Sequence, residues 1–233
     1  MEFKIQTIEK LFYYIVAYSY LLLPICFLLL GNKKKEIIPI IIALYGILCC
    51  AFLVYYDQSG IPKEAKKYFY TSYTIFEYVI FAFIFWINFR KDKIRWLILL
   101  VSVLFIGFQL YYVFTTKTRG LDSVPIGIET ILILIFVLYF FYSFSKSIND
   151  SYIYHHYVFW ISVGILIYLG GSFFFFILFQ QLTLDQKNSF GNITYAAEII
   201  KNILFAISLF AYSRYPFKNQ NKNFNSVPYL DMI

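Results

Sequence analysis

The chain has 233 residues, of which 61% are hydrophobic and 23% aromatic, with only 14% charged and a formal net charge of +7. Soluble domains carry about 25% charged residues, so this composition excludes a soluble globular fold and implies a membrane-embedded one. At about 20 apolar residues for each crossing of a bilayer core about 30 Å thick, seven spans with short loops take up the whole length. No room is expected for a kinase, nuclease or nucleotide-binding domain.

In chain order the apolar runs are Leu11 to Leu30, Ile37 to Tyr56, Tyr68 to Phe89, Trp96 to Phe114, Pro125 to Ser145, Tyr157 to Phe179 and Thr194 to Ser213. The first is too long for a signal-peptide core and no small-residue cleavage pattern follows it, so it reads as a helix. Pro24 lies inside it and should bend it, because proline removes one backbone hydrogen bond. Pro39 and Pro125 sit near helix starts, where a missing N–H costs nothing, and Asp122 and Ser123 are expected caps for the fifth helix. Cys26, Cys49 and Cys50 all fall inside spans as small apolar residues. Neither a disulfide framework nor a metal-binding CxxC pattern is present. His155 and His156 open the sixth span, with Asp150 the nearest acid. A two-histidine metal site wants i, i+4 spacing and a third ligand, so these two are expected to be interfacial anchors. Trp86, Trp96, Trp160 and the many tyrosines read as aromatic belts, and the run Phe173 to Phe176 as lipid-facing or core bulk. Asn192-Ile193-Thr194 matches a glycosylation sequon.

The expected fold is therefore all-α: a seven-transmembrane-helix bundle over residues 1–214, followed by a short polar cytoplasmic tail over 215–233. Lys33, Lys34, Lys35, Arg90, Lys91, Lys93, Arg95, Lys146, Arg214, Lys218 and Lys222 fall on one side of it. They outweigh Lys63, Lys66, Lys67, Lys117, Arg119, Lys187 and the N-terminal lysines on the other. By the positive-inside bias the N-terminus is out and the C-terminus in. Basic residues confined to loops and termini fit contact with anionic lipid better than nucleic-acid binding. The Lys-, Asn-, Ile- and Phe-rich composition looks like that of an AT-rich bacterium, in which the sequon would be unused and the expected location is the inner membrane.

The polar residues inside the spans carry what functional signal there is. Translocon-type scales put a lysine or an acid at a helix centre at about +2.5 to +3.5 kcal/mol, so a charge kept there needs a partner. In the last span Glu198, Lys201 and Asn202 share one helical stripe. Glu77 continues a face with Tyr70, Tyr73 and Thr74 on the third span. Gln109 shares one with Ser102 and Tyr112 on the fourth, and Glu129 lies on the fifth. All fall in the outer half of the bilayer, so four helices are expected to converge on one polar centre in which Glu77 or Glu198 pairs with Lys201. Small residues (Ala43, Gly46 and Cys50; Gly164 and Gly170 to Ser172; Ala197, Ser208 and Ala211) mark faces where helices approach closely.

A lysine in the seventh of seven helices with an acid in the third is similar in arrangement to the retinal-binding rhodopsins. That resemblance would make Lys201 the Schiff-base lysine and Glu77 its counterion. The sixth span, YVFWISVGILIYLGGSFFFF, departs from the family by lacking Trp-x-x-Tyr-Pro, and the third lacks Arg-Tyr-x-Asp-Trp. No cofactor is therefore expected. In organisation the chain also resembles heptahelical sensory modules of bacteria, which implies output through a separate signalling or effector partner. The expectation is a non-enzymatic receptor- or sensor-like protein. Glu77 and Lys201 would bind a small ligand or ion directly, Glu198, Glu129 and Asn202 would shape the site, and Gln109 and Tyr73 would donate hydrogen bonds. A proton- or ion-coupled transporter is the alternative class, and a membrane-embedded enzyme a further one.

Overall fold

The computed structural model describes residues 2–30, 37–58, 60, 62–89, 91–116, 123–146, 153–178 and 181–214. Eight α-helices and one 3-10 turn (Ile153–His155) account for nearly all of them, and no strand occurs among the described residues. The helices are α1 (Glu2–Ser19), α2 (Leu22–Leu29), α3 (Ile37–Gln58), α4 (Lys63–Asn88), α5 (Asp92–Thr115), α6 (Ser123–Lys146), α7 (Tyr157–Leu178) and α8 (Leu184–Arg214). Among the described residues six stretches are long and apolar enough to cross a membrane: Leu11–Leu29, Ile37–Tyr56, Ala65–Asn88, Asp92–Thr115, Ser123–Lys146 and Phe190–Arg214. A shorter apolar stretch, Tyr157–Phe173, lies in α7. The architecture is that of a helical, multi-pass membrane bundle, with its segments where hydropathy set them.

Helix ends differ from the expected ones. α4 begins at Lys63, α5 at Asp92 and α8 at Leu184, each ahead of its apolar run. Hydropathy marks the stretch that lipid can accept, whereas the backbone ladder continues into the polar interface. The sequon Asn192-Ile193-Thr194 consequently falls inside α8, not in a loop. Expectations that rest on Lys33 to Lys35, Arg90, Lys117, Arg119, Asp122, Asp150 and the tail 215–233 lie outside the described residues.

The bend expected at Pro24 is a break between α1 and α2 at Tyr20 and Leu21. Proline has no N–H to give the carbonyl four residues earlier, that of Tyr20. This carbonyl instead accepts from the Leu23 N–H at 3.2 Å, a tighter turn than the α-helix. The break rotates Tyr20 inward until it is fully buried. Gly46 on α3 makes room for it: a Cβ there would stand 2.6 Å from the Tyr20 carbonyl oxygen and 2.9 Å from Leu23 Cβ.

Among the described residues the helices close into a ring. The α1–α2 pair lies between α3 and α8, α8 packs on α7, α7 on α6, α6 on α4, and α4 returns to α3. α5 lies outside this ring, mainly against α4. Lipid tails are as apolar as leucine, so helices associate in lipid through close packing and polar contacts, not hydrophobic exclusion. The α7–α8 seam fits that account. A Cβ on Gly171 would meet Ala197 Cβ at 2.9 Å, and one on Gly164 would meet the Phe205 ring at 3.2 Å. The ring is filled by aromatic side chains, with Tyr45, Phe81 and Phe205 clustered at centroid separations of 5.6 to 6.1 Å. Further along, Phe85 stacks toward Phe89, which meets Tyr139 edge-on at 5.0 Å.

Candidate functional site

The site is built outward from Lys201 on α8, which is completely buried. An ammonium has three N–H donors and no acceptor. Here they reach Tyr45 Oη at 2.7 Å, Tyr20 Oη at 3.2 Å and Glu77 Oε1 at 3.4 Å. The Tyr168 ring lies beneath the charge, 3.9 Å from nitrogen to centroid, and adds a cation–π contact. The ammonium is thus held by α3, α4, α7 and the α1–α2 break at once, which is how a cation is kept at membrane depth.

The partner question left open by the sequence resolves to Glu77, which makes the ion pair with Lys201. Glu77 also accepts from Tyr45 Oη at 2.7 Å and from Tyr168 Oη at 3.1 Å. Glu198, one turn before Lys201, takes a short hydrogen bond from Tyr20. The Tyr20 hydroxyl in turn lies 3.4 Å from that of Tyr73. Asn202 points away from these groups. Its amide donates to Ser19 Oγ at 2.8 Å, which ties α8 to the residue just before the break. Asn202 is accordingly a brace beside the cluster.

A cavity of about 260 Å³ lies against this cluster at the end of the bundle where α3 and α7 finish and α4, α6 and α8 begin. Glu77, Glu129 and Glu198 line it, and so do Tyr73 and Tyr168. The ammonium is not among the lining groups; it is reached through Glu77 and Tyr168, which touch both. Glu129 is 95% buried, being 5% exposed, and takes no hydrogen bond from any described residue. A carboxyl so placed finds its hydrogen-bond partners in whatever fills the cavity, so its place on the wall is informative.

Gln109 is brought to the same end but not to the same chamber. It lines a second space of about 30 Å³, close to the volume of one water, together with Lys67, Tyr112 and Pro125. Its Nε2 is buried there without a partner. Tyr70, Thr74 and Ile126 line both spaces and so form the partition. Lys67 closes the far side by donating to the Val113 carbonyl at 2.9 Å, which satisfies the end of α5.

Sequence reading missed the phenols. The belt reading covers the tyrosines only as a group, yet Tyr20 and Tyr45 are fully buried and, with Tyr168, contact Lys201. Two signals pointed to them: Tyr20 sits four residues before Pro24, and Tyr45 adjoins Gly46. Phe175 likewise lines the cavity, which corrects the reading of Phe173 to Phe176 as bulk. At the opposite end of the bundle the belt reading fares better. Trp160 Nε1 donates to the Tyr154 carbonyl at 2.8 Å, and Arg95 stacks over Trp86 at 4.2 Å. Among the described residues no three His, Cys, Asp or Glu side chains converge as metal ligands. No family model, no curated protein and no solved structure matches this chain.

Proposed function

We propose that the chain is a non-enzymatic, seven-span sensor-like protein of a bacterial inner membrane, N-terminus out and C-terminus in. It takes a small ligand or ion into the cavity and acts on a separate partner through helix movement. The observation that carries this reading is Glu129, a buried carboxyl on a cavity wall that takes no hydrogen bond from any described residue. Pockets that bind small molecules are mostly apolar with a few convergent polar groups, and this one answers that description.

The same geometry supplies a route for the signal. Glu198 lines the cavity and is bonded to Tyr20, which stands at the break of the first span. A ligand that takes over Glu198 releases Tyr20, and the break is the part of the bundle whose backbone bonds are already incomplete. Lys201 balances charge and holds the ring together; Glu129 and Glu198 meet the ligand.

A transporter is the second reading, favoured by the partitioned chambers at Glu129 and Gln109. Against it, Tyr45, Phe81 and Phe205 pack closely around the centre. Thermal unfolding of purified protein in lipid nanodiscs, screened against small cationic, anionic and neutral solutes, tests the sensor reading. At least one solute class is expected to raise the wild-type midpoint with saturation and to leave Glu129→Gln unmoved. Equal shifts for both proteins, or no shift from any class, would overturn it. Proton flux into liposomes that is abolished by Glu77→Gln would favour transport.

A further inference from the structure

We infer that the ligand is a small organic cation, an amine or a quaternary ammonium, seated between Glu129 and the aromatic rings of the cavity. This rests on the ligand-binding reading above and adds the chemistry. Among the described residues three carboxyls, Glu77, Glu129 and Glu198, line the space, and no lysine, arginine or histidine does so. The buried cation nearby, Lys201, has spent its three donors on Tyr20, Tyr45 and Glu77. Glu198 takes its hydrogen bond from a neutral phenol, and Glu129 takes none from any described residue. A cation entering the cavity gives Glu129 a partner and Glu198 a second one. An anion would bring a further negative group against three acids, and a neutral solute without a donor would leave the Glu129 carboxyl unmatched.

The rest of the wall selects among cations. Phe52, Phe69, Tyr73, Phe175 and Tyr195 line it, and aromatic faces attract cations most strongly where water is excluded. A metal ion wants a shell of several oxygens, six to eight for calcium, which a wall dominated by aromatic carbon does not provide. The contact between Lys201 and the Tyr168 ring shows an alkylammonium already held by a phenol ring and a carboxylate in this protein. The volume of about 260 Å³ is just under the roughly 300 to 1,000 Å³ of pockets for drug-sized ligands, so the occupant is small. At the rim, Lys66 approaches Tyr56 Oη at 3.5 Å and stays outside the lining.

The test is a set of matched probes on the full chain in nanodiscs, followed by titration calorimetry and thermal unfolding. The probes are tetramethylammonium, benzylammonium, its neutral counterpart benzyl alcohol, benzoate, and sodium and potassium chloride. Saturable binding by the two organic cations is expected, with benzyl alcohol and benzoate at least tenfold weaker. Glu129→Gln should weaken the cations tenfold or more, and Phe52→Leu severalfold. Equal or tighter binding of benzyl alcohol or benzoate, lost in Glu129→Gln, would overturn the cationic ligand while leaving the cavity as a binding site. Stabilisation by sodium or potassium alone would overturn the organic ligand and leave an ion site. Binding by none of these probes overturns this inference outright, and the broader solute screen then decides whether the cavity binds anything. The comparison among probes needs only the wild-type protein, so it stands even if Glu129→Gln fails to fold.

Discussion

α5 and α8 are both long helices that qualify as spans, yet they live in different surroundings. Half of the last span is buried inside the bundle, 50% against 22% for α5, although α5 is the more apolar of the two. In water the order would be reversed, since the more apolar helix would seek the core. In lipid the apolar helix is already satisfied, and the helix that carries Glu198, Lys201 and Asn202 is driven inward to find partners. α5 turns Trp96, Leu100, Val103, Leu104, Tyr111 and Phe114 outward and buries mainly Ile98, Phe105, Gln109 and Val113. Polarity, more than hydrophobicity, decides who is inside.

The comparison breaks most visibly at Lys201. Lys201→Met removes one partner of a buried ion pair and should cost about 3 to 5 kcal/mol, read as a lower midpoint of unfolding in mixed micelles with a denaturing detergent. The double variant Lys201→Met with Glu77→Gln should recover part of that loss. A wild-type midpoint for the single variant would mean that the ion pair does not anchor α8.

Next in size is Gly46→Ala. The added methyl meets backbone, the Tyr20 carbonyl, and cannot be relieved by a rotamer change. Overpacking of this kind costs about 1 to 3 kcal/mol, and cross-linking between α1 and α3 should report the displacement. No change in midpoint would show that the break can shift without strain.

Smaller again is Tyr168→Phe, which keeps the ring under the ammonium and deletes only the hydroxyl that bonds Glu77. A loss of about 0.5 to 1.5 kcal/mol is expected from one hydrogen bond. The same variant made as Tyr168→Leu should lose more, because the cation–π contact goes too.

The smallest effect belongs to α5. Leu104 is 64% exposed on the outer face, and Leu104→Ala should move the unfolding midpoint by no more than about 0.5 kcal/mol. A loss of 2 kcal/mol or more would mean that protein covers this face and not lipid.

How much of this was legible in the chain follows the same division. Charges in apolar runs stand out because their context makes them costly, so Glu77, Glu129, Glu198 and Lys201 were readable and converge as expected. Tyrosine gives no such contrast. With 23 of them in the sequence, a phenol at the interface and one in the core look alike until helix contacts are known. Gln109 and Asn202 were readable as buried amides, but their separation into a side chamber and a brace depends on helix rotations of a few tens of degrees. Pro24 announced a bend; that it would turn Tyr20 into the ion-pair cluster depended on Gly46 on another helix.

α8 extends 31 residues, or about 46 Å at 1.5 Å per residue, well beyond the roughly 30 Å of a hydrocarbon layer. Lys201 lies near its midpoint, pinned by contacts from three neighbouring helices and the break in the first span. Because α8 is also seated along α7, at Gly171, Gly164 and Tyr157, a push on the stretch that bears Gly191, Thr194 and Glu198 runs down the α7–α8 seam to Tyr212, which meets Tyr157 edge-on at 4.9 Å.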